Sequence, residues 1–240
     1  LFFILGSGVA DYLGARLAWD GFLTGLGLLL LLLLSAYYLD SFFRFNILAV
    51  SARKPAFKEA AAGNGLLTLL VAITTLSAGA ILTVVTINQK VLDAGGLVIL
   101  GIGLGLALFY ALPPFRLAQR GFGDVIAAFL IVPLAIFLAV YFQNGELHPL
   151  AVFLSFPLLL LYLSLVLANG FPAYAADLKA QRVSLVISLG WQRAMNLHNL
   201  LLPLGYLTLL GFSFLGDIPW SIAWRGLLTL PLAGYQIWLM

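Results

Sequence analysis

The stretch Leu150 to Gly190, LAVFLSFPLLLLYLSLVLANGFPAYAADLKAQRVSLVISLG, decides how the chain is read: a wholly apolar run to Ala168 passes directly into a polar island holding Asp177, Lys179 and Arg182. The run is long enough to cross a bilayer core of about 30 Å, which needs roughly 20 apolar residues. Charge at the end of such a span serves orientation, chemistry or both. Composition extends this to the whole chain. Of the 240 residues, 63% are hydrophobic and 9% charged, and mean hydropathy is +1.10, which no water-facing surface accommodates. The chain is therefore read as an integral membrane protein.

Working outward, the same length rule divides the chain into about eight spans: Leu1 to Leu17, Gly21 to Leu39, Gly65 to Val85, Gly95 to Leu112, Val125 to Phe142, Leu150 to Ala168, Ala194 to Leu215 and Ile222 to Met240. This predicts an all-α, polytopic transmembrane helix bundle in one domain over 1–240. The first span carries Asp11 and Arg16 and reads as the remnant of a longer helix or as a helix with a functional face. An opening on Leu1 and an ending inside an apolar run at Met240 lead us to expect further terminal segments. Gly101 and Gly105, four apart in the fourth span, are read as a helix-packing pair.

The absence of cysteine excludes disulfides, thiolate catalysis and cysteine-held metals, and the two histidines, His148 and His198, are too few for a histidine cluster. Any metal would be bound by oxygen. Nine of the twelve basic residues, Arg44, Arg53, Lys54, Lys58, Arg116, Arg120, Lys179, Arg182 and Arg193, fall in the loops after the second, fourth and sixth spans. Span alternation puts these loops, 40–64, 113–124 and 169–193, on one side, and the positive-inside rule makes that side cytoplasmic. Basic residues so confined give no nucleic-acid footprint.

Three of these elements carry more than orientation. In YALPPFRLAQRGFGD, Tyr110 to Asp124, Pro113 and Pro114 stop the helix, so Arg116 and Arg120 stand on a rigid turn. They read either as topology arginines or as bidentate ligands for phosphate. In SAYYLDSFFR, Ala36, Asp40 and Arg44 are four apart, as are Asn169, Ala173 and Asp177 after the sixth span. Residues four apart share a helical face, and two acids so placed can jointly ligate Mg²⁺. Here each set holds one acid.

In the order and spacing of these elements the chain resembles the UbiA superfamily of intramembrane aromatic prenyltransferases, from about Gly21 through the seventh span. Tyr110, Pro113, Pro114, Arg116, Leu117, Gly121, Gly123 and Asp124 are similar to its central Pro-Pro-x-Arg-Leu element. Asn169, Phe171, Pro172, Asp177, Lys179, Arg182, Leu185 and Gly190 are similar to its second motif and tail. The segment YFQNGEL, Tyr141 to Leu147, leans toward the branch that prenylates dihydroxynaphthoate, a quinone precursor.

The resemblance implies nine helices around a lipid-accessible cavity and two Mg²⁺ ions on paired aspartate motifs. It also implies transfer of an isoprenyl group from a polyprenyl diphosphate to an aromatic acceptor. Carried over by position, Asp40 and Asp177 are the expected catalytic acids, with Asn169 beside them as the metal ligands. Arg44, Arg116, Arg120, Lys179 and Arg182 would bind diphosphate, and Tyr37, Tyr38, Tyr110, Asn169 and His198 would line the cavity or hold the acceptor. The chain departs from the pattern at Ala36, where the family has Asn, at Arg44, where it has the second Asp, and at Ala173, where it has the first Asp of the second motif.

Three readings follow. The first is a prenyltransferase with weakened metal dependence, Asp40 and Asp177 holding one Mg²⁺ while the basic residues grip the diphosphate. The second is an inactive homologue in which Arg44 pairs with Asp40 and the cavity keeps a lipid, quinone or pigment. The third is a structural subunit of a larger membrane complex, its apolar helices serving as a packing surface. Several residues also have plainer roles. His198, within MNLHNL, suits a cavity contact or a helix-to-helix hydrogen bond, His148 reads as solvated, and Trp19, Trp191, Trp220 and Trp224 suit interfacial anchoring.

Overall fold

The computed structural model describes the backbone at 1–51, 55–179 and 183–239, with side chains at 1–45, 63–179 and 183–238. Among these residues there is no β-strand. The first helix, α1 (Phe2–Tyr12), has 11 residues and so reaches only about 16 Å. It nevertheless packs closely on the bundle, because a Cβ at Gly6 would stand 2.7 Å from the Ala139 Cβ, so only glycine permits that approach.

α2 (Trp19–Ser51) runs about 50 Å over its 33 residues, beyond the thickness of hydrocarbon, and carries Asp40 near the end of its apolar stretch. α3 (Pro55–Asn88) lies along α2, its main partner among the described residues. α4 (Ala94–Ala111) begins at a defined cap, the Asp93 carboxylate accepting from the Gly95 and Gly96 N–H groups at 2.7 and 3.1 Å. It ends at the Pro113–Pro114 pair, which lacks the donors to continue it.

The fifth span is two helices, α5 (Gly123–Ile131) and α6 (Pro133–Asn144), because Pro133 has no N–H to give the preceding turn. Val132, Ile136, Leu138, Ala139 and Val140 are fully buried, making α6 the centre of the bundle. α7 (Pro149–Gly170) packs against α10 (Trp191–Leu215). Between them lie two short helices, α8 (Tyr174–Lys179) and α9 (Leu185–Leu189). Leu167, Phe171, Leu185, Val186 and Ala194 form a separate apolar cluster that ties α9 to both long neighbours.

The expected eighth span is instead α11 (Trp220–Leu227) and α12 (Leu230–Leu239), with Met240 outside the described residues. Thr229 stands at their junction, its hydroxyl donating to the Gly226 carbonyl at 2.7 Å and sharing a 2.8 Å hydrogen bond with Tyr206. Among the described residues, six helices are long and apolar enough to cross a membrane, against the eight spans expected. The difference lies at the two ends, in the short α1 and the broken eighth segment. An integral, multi-pass membrane protein is what these six helices describe.

Gly101 and Gly105 pack against no described residue at the position of a Cβ. Open space surrounds the position of a Cβ at both. Trp19, Trp191, Trp220 and Trp224 are all exposed at or near helix starts, as interfacial anchors are.

Candidate functional site

Among the described residues Asp40 is the most deeply buried carboxylate, at 1% exposure, because the apolar face of α2 carries it inward. A carboxylate there needs donors. One turn later on the same face, Arg44 donates to its Oδ2 in a close salt bridge, while Gln119 Nε2 approaches Oδ1 at 3.5 Å. Arg44 itself is 60% exposed. Both carboxylate oxygens therefore face protein donors, and Arg44 occupies the position from which a cation would otherwise reach Asp40. Ala36, one turn earlier, is buried and forms part of a pocket wall rather than a polar edge.

Gln119 belongs to the 3₁₀ turn Leu117–Gln119, which is entered through Arg116 in the left-handed conformation, φ 43° and ψ 49°. A non-glycine residue held there carries a conformational cost of order 1–2 kcal/mol, and such positions concentrate at functional sites. The Arg116 Cζ lies 5.4 Å from the Phe43 ring centre, a cation–π contact onto α2. Its Nε and Nη2 are buried and hydrogen-bond to no described residue. Two buried, unused N–H directions on a half-buried guanidinium have the chemistry to receive an anion, since the uncompensated groups cost free energy that a phosphate or carboxylate would recover.

Arg120 has a different task. It donates to the Pro114 carbonyl at 2.9 Å and closes its own loop. Gly121, at φ +86°, then turns the chain where a Cβ would collide with Ser188 of α9 at 2.2 Å. Asp124 accepts from the Leu185 N–H at 2.7 Å. The central loop thus joins the two motif regions, touching Asp40 through Gln119 and α9 through Gly121 and Asp124.

The second motif is not on one helical face. α7 ends at Gly170, and Phe171, Pro172 and Ala173 form a turn, so Asn169 is exposed on α7 while Asp177 is half-buried on α8. Pro172 is the physical reason, as it cannot supply the donor that would prolong α7. Trp191 packs edge-on to Phe171 and Tyr174, at 5.0 and 5.5 Å between ring centres, and holds this turn. Asp177 has a partner of its own. Lys179 is exposed at the end of α8, and Arg182 lies outside the described residues.

Among the described residues, no three His, Cys, Asp or Glu side chains gather as a metal-ion cage. Two small pockets flank the Asp40 face instead. One, about 190 Å³ and almost wholly apolar, is bounded by Leu33, Ala36, Tyr37, Tyr110, Leu130 and Ile131. The other, about 260 Å³, is lined by Tyr37, Tyr38, Ser41, Arg44, Phe45 and Thr68. The two tyrosines meet edge-on at 5.3 Å. Tyr37 lines both pockets, and Tyr110 edges the apolar one, within range of the charges on Asp40, Arg44 and Asp124.

His198 has a structural role in this arrangement. It is fully buried, its Nδ1 3.0 Å from Asn199 Oδ1 and its Nε2 3.2 Å from the Gln236 amide nitrogen on α12. With Gln236 donating, Nδ1 carries the proton toward Asn199 on the same helix, and the Nε2 contact holds α12 to α10. His148 caps α7 through its Nδ1, which accepts from the Leu150 N–H at 3.2 Å.

No known protein-family profile matches the chain, and no curated protein matches it in sequence.

Proposed function

We propose that the protein binds an isoprenyl diphosphate at the end of the bundle bearing Asp40, Arg116 and α9, with guanidinium groups in place of carboxylate-held metal ions. The observation that carries this reading is Arg116, whose buried Nε and Nη2 have no described partner and present a fork suited to phosphate. Arg44, exposed on α2 next in sequence to the Phe43 on which Arg116 packs, adds a second cation. The apolar pocket against Leu33, Ala36 and Tyr110 would take the first carbons of the isoprenoid tail, and membrane lipid would surround the rest. On this reading the loops at 40–64, 113–124 and 169–193 face the cytoplasm, where soluble diphosphates are found.

The donor set does not fit Mg²⁺ held between Asp40 and a second acid. One Asp40 oxygen is committed to Arg44, the other faces Gln119, and a cationic side chain where a carboxylate is required repels a divalent ion. Asn169 and Asp177, separated by the 171–173 turn, do not restore the missing acids.

The reaction such a site supports is prenyl transfer of the UbiA type to an aromatic, quinone-precursor acceptor. The bond from C1 of the isoprenoid to diphosphate oxygen breaks, with both electrons leaving on the diphosphate, whose charge Arg116 and Arg44 offset. An acceptor ring carbon bonds to C1, and the ring proton is lost to the released diphosphate. Tyr37, Tyr38 and Tyr110 supply aromatic faces beside the cation so formed. The Arg44 to Asp40 salt bridge favours a second reading, a non-catalytic homologue that retains the lipid diphosphate or a related quinone or pigment, alone or in a membrane complex.

The test is turnover by purified full-length chain given isoprenyl diphosphates and a panel of dihydroxy-aromatic acids, with and without chelator. Prenylated product formed in chelator, and lost in Arg116→Ala, is expected of the enzyme. Binding of the donor without product across the panel selects the second reading, and absence of donor binding defeats the proposed diphosphate site under either reading.

A further inference from the structure

At the opposite end of the bundle lies a cavity that this function does not use. It holds about 510 Å³, within the range of small-molecule sites, and lies along α4, α5 and α6. Its apolar wall runs from Gly95 to Leu106 on α4, about 16 Å along the helix axis at ~1.5 Å per residue. That is half of a hydrocarbon core of about 30 Å, so the groove is one leaflet deep. Val98 and Ile102, both about 60% exposed, show that it opens sideways to the bilayer rather than inward.

The mouth is built and acidic. The Tyr141 hydroxyl donates to the Asp93 carboxylate, which also accepts from two backbone N–H groups of α4, and the Asp93 N–H donates back to the Tyr141 oxygen at 3.2 Å. Gly96 lets the ring in, because a Cβ there would meet Tyr141 at 2.5 Å. These hydrogen bonds, led by that from Tyr141, hold the Asp93 carboxyl below its ordinary value and keep it anionic. Across the mouth, Glu146 is exposed and hydrogen-bonds to no described group. Lys90, in the turn before Asp93, does not line the cavity.

We propose that this groove is a binding site for a membrane aminophospholipid, one acyl chain lying along α4 and α6 and the primary ammonium headgroup meeting Glu146 beside Asp93. Depth selects a single chain of one leaflet. Charge selects the head: two carboxylates at the mouth repel an anionic lipid and attract an ammonium, and the N–H groups of a primary amine satisfy the free acceptors of Glu146.

The experiment is native mass spectrometry of the full chain extracted from nanodiscs of phosphatidylethanolamine, phosphatidylglycerol or their equal mixture, with identical acyl chains. From the mixture, phosphatidylethanolamine should be retained over phosphatidylglycerol by about two- to fivefold, the scale of one exposed ion pair. Glu146→Gln, at an exposed position, should remove that preference without changing elution of the protein. Ile102→Trp, which fills the groove from the lipid side, should lower the number of retained lipids of either kind. Equal retention, preference for the anionic lipid, a preference that survives Glu146→Gln, or undiminished lipid in Ile102→Trp would each overturn the assignment.

Discussion

Replacing Arg116 with alanine separates a ligand-binding role from a structural one. A structural arginine is satisfied in the empty protein, so its loss destabilises. Arg116 Nε and Nη2 instead lie buried without described partners, an arrangement that costs about 1–3 kcal/mol per group, against a cation–π contact with Phe43 worth about 0.5–2 kcal/mol. The ligand-free Arg116→Ala protein should therefore unfold at the wild-type temperature or above it. Arg116→Gly should gain further, since glycine occupies φ +43° without the penalty an L side chain carries.

Binding should move the other way. Two charge-assisted hydrogen bonds at about 1.5 kcal/mol each give about 3 kcal/mol, or roughly a hundredfold weaker affinity for isoprenyl diphosphate. Arg116→Lys keeps the charge but not the fork, and should recover about tenfold of that loss. Titration calorimetry in detergent gives the affinity, and thermal unfolding of the same samples gives the stability. Affinity within twofold of wild type in Arg116→Ala, or a clear drop in its ligand-free stability, would refute the reasoning.

Three further outcomes test the fold and the Asp40 site. Arg44→Ala leaves a carboxylate of 1% exposure facing only Gln119, and should cost about 1–3 kcal/mol; Asp40→Asn in that background should recover part of it, as a denaturant double-mutant cycle measures. Gly6→Leu drives a side chain into Ala139 and should cost about 1–3 kcal/mol, whereas Gly8→Leu, into open space, should be nearly neutral in the same unfolding assay. Asp93, whose pKa is lowered chiefly by Tyr141, stabilises the fold above its ordinary value of 3.8, and that contribution disappears as pH falls through the lower folded value. Unfolding followed from about pH 7 to about pH 2 should show this acid-side loss, reduced in Tyr141→Phe and absent in Asp93→Asn.

Much of the architecture was legible because a bilayer imposes one length on every span. Five of the apolar runs, beginning near Gly21, Gly65, Gly95, Leu150 and Ala194, became continuous helices; the ends agree closely with hydropathy for the last three, whereas α2 continues past Leu39 to Ser51 and α3 already begins at Pro55, because a helix can run on beyond the apolar stretch that hydropathy detects. The break at Val132 had a visible cause in Pro133, yet the apolar run across it masked the signal. The break at Leu228 and Thr229 had none, since it depends on a hydrogen bond from Tyr206, 23 residues away.

The candidate site was legible in part. Arg44 lies one helical turn after Asp40, so their pairing follows from spacing alone. The same logic failed at Asn169, Ala173 and Asp177, because spacing by four means a shared face only where the helix continues, and Pro172 ends it. Arg116 reads from sequence either as a topology arginine or as a phosphate ligand, and its left-handed backbone and buried, unused N–H groups could not be read from residue type. His198 had an open choice between cavity and helix tie. Gln236, 38 residues on, decides it for the tie.

The central claim is that arginine, not metal, holds the diphosphate. Titrating farnesyl diphosphate into the purified full chain, once with excess EDTA and once with Mg²⁺, tests it most directly. The account predicts saturable binding of equal affinity in both, weakened by Arg116→Ala. Binding that appears only with Mg²⁺, or no binding under either condition, would contradict it.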